Sequence, residues 1–113
     1  MIKLLHKLPD NGKFHIAISG GVDSISAFHW LLAGNRKPFS IIHINHNTGK
    51  YADQCNQLVK ELASKHNITF HTKKLDSKPP SCVSAEAWWR ERRYEFFDEI
   101  HKLVGLELPI ILA

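Results

Sequence analysis

Between the apolar run Phe14-His15-Ile16-Ala17-Ile18 and the first helical pattern lies Ser19-Gly20-Gly21-Val22-Asp23-Ser24. Adjacent glycines let the backbone turn tightly and aim several N–H groups at one point. The helix that follows adds its unpaired N-terminal amides and the positive end of its dipole. Ser19 and Ser24 bring hydroxyl donors. A strand-to-helix junction of this kind cradles phosphate oxygens. Asp23 adds a requirement, because a carboxylate beside bound phosphate is repulsive unless a cation sits between them. It therefore calls for Mg²⁺. The string lacks the lysine of GxxxxGK[ST] and the spacing of GxGxxG, which excludes both of those nucleotide motifs. An ordinary Gly-Gly turn with Asp and Ser capping a helix accounts for the glycines but not for the whole string at this junction.

Two further groups carry polar chemistry. His43-Ile44-Asn45-His46 closes the second apolar run. Asn45 and His46 lie past the strand and are expected to line a cleft, whereas His43 reads equally well as a core histidine. His43 and His46 have no third ligand nearby, so a zinc site is rejected. Glu86, Arg90, Arg93 and Phe97 recur at successive helical turns beside the apolar stripe Trp89, Phe96, Ile100 and Val104. Polar groups at the edge of an inward stripe are costly unless paired or used. The row is either a surface salt-bridge row or one wall of a site. Trp88 and Trp89 offer stacking surfaces for RNA bases, and one of the two is expected in the core.

Positioning these groups requires alternating strands and helices. A short helix is expected over the first eight residues, ended by Pro9, with a turn at Asp10-Asn11-Gly12. Strand patterns follow at Phe14–Ile18, Phe39–Ile44, Ile68–Lys73 and Leu108–Ala113. Helical periodicity covers about Asp23–Ala33, Ala52–His66 and Ser84–Val104, with Ser84 as N-cap of the third. The first strand, Phe14–Ile18, is nearly continuous in apolar character, as a strand covered on both faces should be, while Ile68–Lys73 alternates through Ile68, Phe70 and Thr72. The pattern predicts an α/β fold, a Rossmann-like parallel sheet with helices on both faces. Ligands in such folds sit at the carboxyl ends of the strands, where Ser19–Ser24 and His43–His46 both fall.

Composition narrows the class without naming it. With 113 residues the chain makes one domain, and 43% apolar content supplies one modest core. Fifteen Lys and Arg against 11 Asp and Glu give +4, compatible with a polyanionic ligand or with an ordinary solvated surface. Cys55 and Cys82 form no CxxC and read as free thiols in a reducing compartment. Met1-Ile2-Lys3-Leu4-Leu5 is too short for a signal peptide, and no apolar run approaches the roughly 20 residues that span a bilayer. A cytoplasmic protein without membrane association is expected.

The SGGVDS string resembles the signature of the PP-loop ATP pyrophosphatases, whose fold is of the adenine nucleotide alpha hydrolase-like kind. That resemblance implies ATP cleavage between the α and β phosphates, with Ser19, Gly20, Gly21, Val22, Asp23 and Ser24 around the departing pyrophosphate and Asp23 on Mg²⁺. The HxNH string at His43–His46 and the segment Ser84–Phe97, with its Glu, two Arg and Tyr, are similar to motifs of tRNA(Ile)-lysidine synthetases. Here Asn47-Thr48-Gly49-Lys50 stands where that family usually has Gly and a basic residue. The resemblance implies Asn45 and His46 at the nucleotide and Asp23, Glu86, Arg90 and Arg93 as catalytic residues. Tyr94 is expected to pack the helix and stay out of the site. The implied reaction adenylates the wobble cytidine of tRNA(Ile) at its C2 oxygen, and free L-lysine then displaces AMP to give lysidine.

The fourth strand reaches Ala113, where family members continue into a further nucleotide-binding stretch. The chain is therefore expected to be the N-terminal part of an adenylating domain, truncated after the fourth strand. An unfinished parallel sheet exposes an edge, and a homodimer is one way to cover it. A tRNA thiolase of the same superfamily would share the phosphate loop but commonly needs paired cysteines. A non-catalytic ATP-binding fragment is the other alternative.

Overall fold

The computed structural model describes residues 10–47, 49–75, 79–105 and 108–113; the short helix expected before Pro9 lies outside them. The elements run β1 (His15–Ala17), α1 (Val22–Ala33), β2 (Ser40–Asn45), α2 (Lys50–Lys65), β3 (Thr69–Lys74), α3 (Ala85–Val104) and β4 (Ile110–Leu112). Each strand and helix expected within the described residues forms, with ends shifted by one or two residues as terminal pairing dictates.

All strand pairs are parallel, in the order β3-β2-β1-β4. The chain moves outward from β1 through β2 to β3, then crosses back to place β4 on the other side of β1. That reversal creates a switch point at the carboxyl ends of β1 and β4.

Alternation along the strands sorts the helices onto two faces. Ile41 packs with Ile16, Phe28 and Leu31 of α1, and Val59 and Ala63 of α2. Its neighbour Ile42 packs with Phe96, Phe97 and Ile100 of α3. Adjacent strand residues point to opposite faces, so α1 and α2 cover one side and α3 the other. Phe14, Ile16, Phe28 and Ile41 are wholly buried, each worth about 1.5–3 kcal/mol of transfer free energy. α3 is fixed at its start by Ser84, whose hydroxyl accepts from Ala87 N at 3.4 Å. Trp88 is the more buried of the two indoles and Trp89 the more open, so Trp88 belongs to the core.

His15 sits under α3 with no solvent exposure. Its Nδ1 bonds the Ser40 hydroxyl, and its ring lies 5.9 Å from that of His101. Burial, followed by the nearby His101 and His71, lowers its pKa to about 4.

Candidate phosphate-binding cleft

Residues 19–24 leave β1 as a turn stitched to itself. Gly20 N and the Ser19 hydroxyl donate to Ser24 Oγ at 3.2 and 3.1 Å, and Ser24 Oγ donates to Gly21 O at 2.9 Å. Gly21 N donates to Ser19 Oγ at 3.3 Å. Ser24 is thereby buried as a staple, while Val22 and Asp23 stay exposed.

The two glycines answer to different demands. Gly20 has φ +94, and a Cβ there would meet Cys55 Cβ at 2.8 Å and Cys55 Cα at 3.3 Å. Helix α2 presses directly on the loop at that point. Gly21 has an ordinary φ of −76 and only Ser19 Oγ, at 3.6 Å, near its absent Cβ. Nothing within the fold requires a glycine at 21.

Gly21 is also the N-cap of α1, and no side chain caps that end. Neither Asp23 nor Ser24 performs the capping that an ordinary turn would assign to them. The first-turn amides lack intrahelical partners by construction, beside the exposed carboxylate of Asp23. Among the described residues no three His, Cys, Asp or Glu groups gather into a metal site. A single carboxylate suits Mg²⁺ delivered with phosphates, which needs only one or two protein carboxylates.

At the switch point a cleft of about 220 Å³ opens on the α3 side of the sheet. Ser19 forms part of its wall after β1, Ile42, Ile44 and His46 line it from β2, and Arg93 and Phe97 from α3. Leu112 and Ala113 close it from β4. The His46 ring stands 4.8 Å from that of Trp89. Burial, then Arg93 and His43, lower the His46 pKa, so the imidazole is neutral near pH 7.

The structure thus brings Ser19, His46 and Arg93 to one cleft and distributes the other expected residues differently. Asn45 is spent on scaffolding: its amide donates to Asp53 Oδ1 at 2.9 Å and its oxygen accepts from Asn47 N at 2.8 Å. That bond, followed by Lys74, lowers the Asp53 pKa. Glu86 and Arg90 form an exposed i,i+4 pair at 3.8 Å, outside the residues that line the cleft. Tyr94 is exposed at 53%, with its ring 6.0 Å from Phe97. Being half open, it is not the packed residue that was expected.

His43 points to the opposite face. Its Nδ1–H donates to the Ile18 carbonyl at 2.7 Å. A carbonyl can only accept, so Nδ1 carries the proton, and Nε2 is left buried without a partner. Burial lowers its pKa against the opposing effect of that bond. The neutral ring tethers the last residue before the loop. Cleft residues that sequence reasoning overlooked are Ile42 and Ile44. Their two-residue spacing already places them on one face and His43 on the other.

A family model described as a PP-loop domain matches residues 1–112. A tRNA(Ile)-lysidine synthase of Malacoplasma penetrans is 30% identical over 106 residues, covering 88% of this chain and 34% of that protein. The one from Clostridium acetobutylicum is 34% identical over 100 residues, covering 82% and 22%. That of Persephonella marina is 29% identical over 107 residues, covering 88% and 24%. The chain spans about a third or less of the length of these relatives.

Proposed function

The chain belongs to the PP-loop domain family, and from that membership we propose that it serves ATP-dependent adenylation of a tRNA, most specifically lysidine formation on the wobble cytidine of tRNA(Ile). PP-loop membership implies a capacity for nucleotide, and the relatives it matches are tRNA-modifying. The observation that carries the reading is the uncapped, glycine-started N-terminus of α1 with Asp23 exposed beside it. Such an end offers amide hydrogens and a positive dipole to a pyrophosphate.

In this reading Ser19, Gly20, Gly21, Val22 and Ser24 surround the β and γ phosphates, and Asp23 holds Mg²⁺. The cation, when bound, neutralises phosphate charge and polarises the phosphorus under attack. The cytidine C2 oxygen forms the new bond to the α-phosphorus, and the α–β bridging oxygen leaves with pyrophosphate. The lysine amine then attacks C2, AMP departs with the C–O electron pair, and the amine loses a proton. Arg93, facing the cleft, stabilises charge developing on the α-phosphate. Neutral His46 is placed to accept or donate one hydrogen bond at the reacting base. Glu86 and Arg90 stand farther out, suited to the RNA rather than to the nucleotide. The domain acts as the N-terminal part of a longer adenylating enzyme, in a reducing cytoplasm.

The test is pyrophosphate release from ATP–Mg²⁺, with tRNA(Ile) transcript and L-lysine each omitted in turn. Release that needs the tRNA, and is lost in Asp23→Asn, is the expected result. Release indifferent to tRNA rejects cytidine adenylation. A second reading, ATP binding without turnover, rests on the PP-loop domain match alone. It predicts nucleotide binding sensitive to Asp23→Asn with no pyrophosphate released.

A further inference from the structure

We propose that Trp89, backed by His46, is a stacking platform for one unpaired RNA base at the rim of the cleft. The inference rests on the RNA-modifying reading above and goes beyond it by naming the side chain that receives the base.

The two indoles of α3 have separate fates. Trp88 is buried, with the Arg92 guanidinium 5.0 Å over its ring. Trp89 is only half-buried, and its ring contact is with His46 at 4.8 Å and an interplanar angle of 49°. His46 lines the cleft together with Ser19 and Arg93, so this contact joins Trp89 to the same site from outside. The imidazole is neutral near pH 7 because burial and Arg93 disfavour its charged form. It can therefore back a π surface without demanding a counter-ion.

Size and charge favour a strand over a free nucleotide. Trp89 stands at the rim rather than among the lining residues. A base reaching it from outside leaves its own backbone in solvent, as a polymer must. Arg90, the next residue, is exposed and only loosely paired to Glu86 at 3.8 Å, and Arg93 lies one turn on. A cation row beside an open aromatic face is the usual means of holding single-stranded nucleic acid. Stacking tolerates any base, so selection for one base falls to the hydrogen bonds deeper in the cleft.

The experiment titrates the full chain, with ATP–Mg²⁺ present, with a short fluorescein-labelled single-stranded RNA carrying a central cytidine. Trp89→Ala is expected to weaken RNA binding roughly tenfold, the usual effect of removing one base–aromatic stack. Trp89→Phe keeps most of the affinity. Trp89→Leu preserves apolar bulk against His46 but lacks a π face, and it weakens binding like Ala; this separates stacking from mere propping and covers an Ala variant that fails to fold. Unlabelled RNA quenches tryptophan emission in the wild type, and that component disappears in Trp89→Phe. Equal RNA affinity in the wild type and the Leu variant overturns the platform, as does equal weakening of ATP–Mg²⁺ binding. A wild-type chain that binds nucleotide but no RNA overturns the RNA-modifying reading together with the platform. RNA binding indifferent to Trp89 removes the platform alone.

Discussion

The loop after β1 and the polar row of α3 meet at one cleft, but only the loop is tied together by hydrogen bonds among its own residues. Ser24 ties Ser19, Gly20 and Gly21 together through three hydrogen bonds. His43 tethers Ile18 just before it, and Cys55 of α2 abuts Gly20 from behind. The row Glu86, Arg90, Arg93 and Phe97 has no such frame. The first turn of α3 is exposed, and burial begins at Trp88. Only Arg93 and Phe97, farther along, reach the cleft wall. A site made of main-chain direction is specified locally; a row of side chains depends on where a helix overhangs its sheet.

The sharpest way to break this contrast is through the two glycines. Gly20→Ala forces a Cβ onto α2 at a positive φ, and is expected to cost about 3 kcal/mol in urea unfolding. Cys55→Ala should rescue little, because the closest contact is to the Cys55 Cβ, which alanine keeps. Gly21→Ala should leave stability within about 0.5 kcal/mol while weakening ATP–Mg²⁺ binding, if the proposed phosphate contacts run through the Gly21 backbone at the start of α1. Equal stability losses at 20 and 21 would mean that the loop is not braced by α2.

The α3 side of the comparison is sensitive to acid through His15. His15 is buried beneath α3, with His101 of α3, His71 of β3 and Ser40 of β2 around it. Its folded pKa, about 4, lies below the unfolded 6.5, so between those values the unfolded chain binds the extra proton. Stability is full above about pH 6.5 and falls toward pH 4, by about 3 kcal/mol from this residue. His71, His43 and His46 are shifted in the same direction and steepen the slope. Urea midpoints from pH 7.5 to 4 check it, and His15→Gln should flatten part of the curve. A midpoint that holds steady across that range would show that His15 is not excluded from water.

Much of this was legible beforehand, for a physical reason. Strand and helix periods are local, and SGGVDS carries its turn in its own residue types, so fold and loop followed from short windows. Asn45 shows where that stops. Its place in a polar string reads as lying past the strand, yet it is the last residue of β2 and Asp53, eight positions on in the first turn of α2, claims its amide. Glu86 and Arg90 show the same limit: their helical phase matches that of Arg93, but phase does not reveal that they stay exposed and outside the residues lining the cleft. Ile42 and Ile44, two residues apart, share one face, and because they both pack against α3 and line the cleft, their residue types alone do not separate the two roles.

Within α3, Arg93 and Arg90 test the division directly. Arg93→Ala should reduce tRNA-dependent pyrophosphate release about tenfold or more, with ATP–Mg²⁺ affinity reduced less, as expected for a charge met in the transition state. A loss confined to KM would make Arg93 a binding group only.

Arg90→Ala removes one partner of an exposed ion pair, both of whose side chains are more than half open at 59% and 85%. Pairs of this kind are worth a few tenths of a kcal/mol at most. Unfolding stability and ATP–Mg²⁺ affinity should therefore stay near the wild type, while RNA affinity falls modestly and the fall vanishes at high salt. Screening is the discriminating variable, since a guanidinium in solvent loses its effect as ions crowd it and one enclosed at a reacting phosphate does not. A salt-resistant loss of pyrophosphate release in Arg90→Ala, as large as in Arg93→Ala, would mean that the first turns of α3 close over the cleft when substrate binds, and would move Arg90 to the reacting side of the comparison.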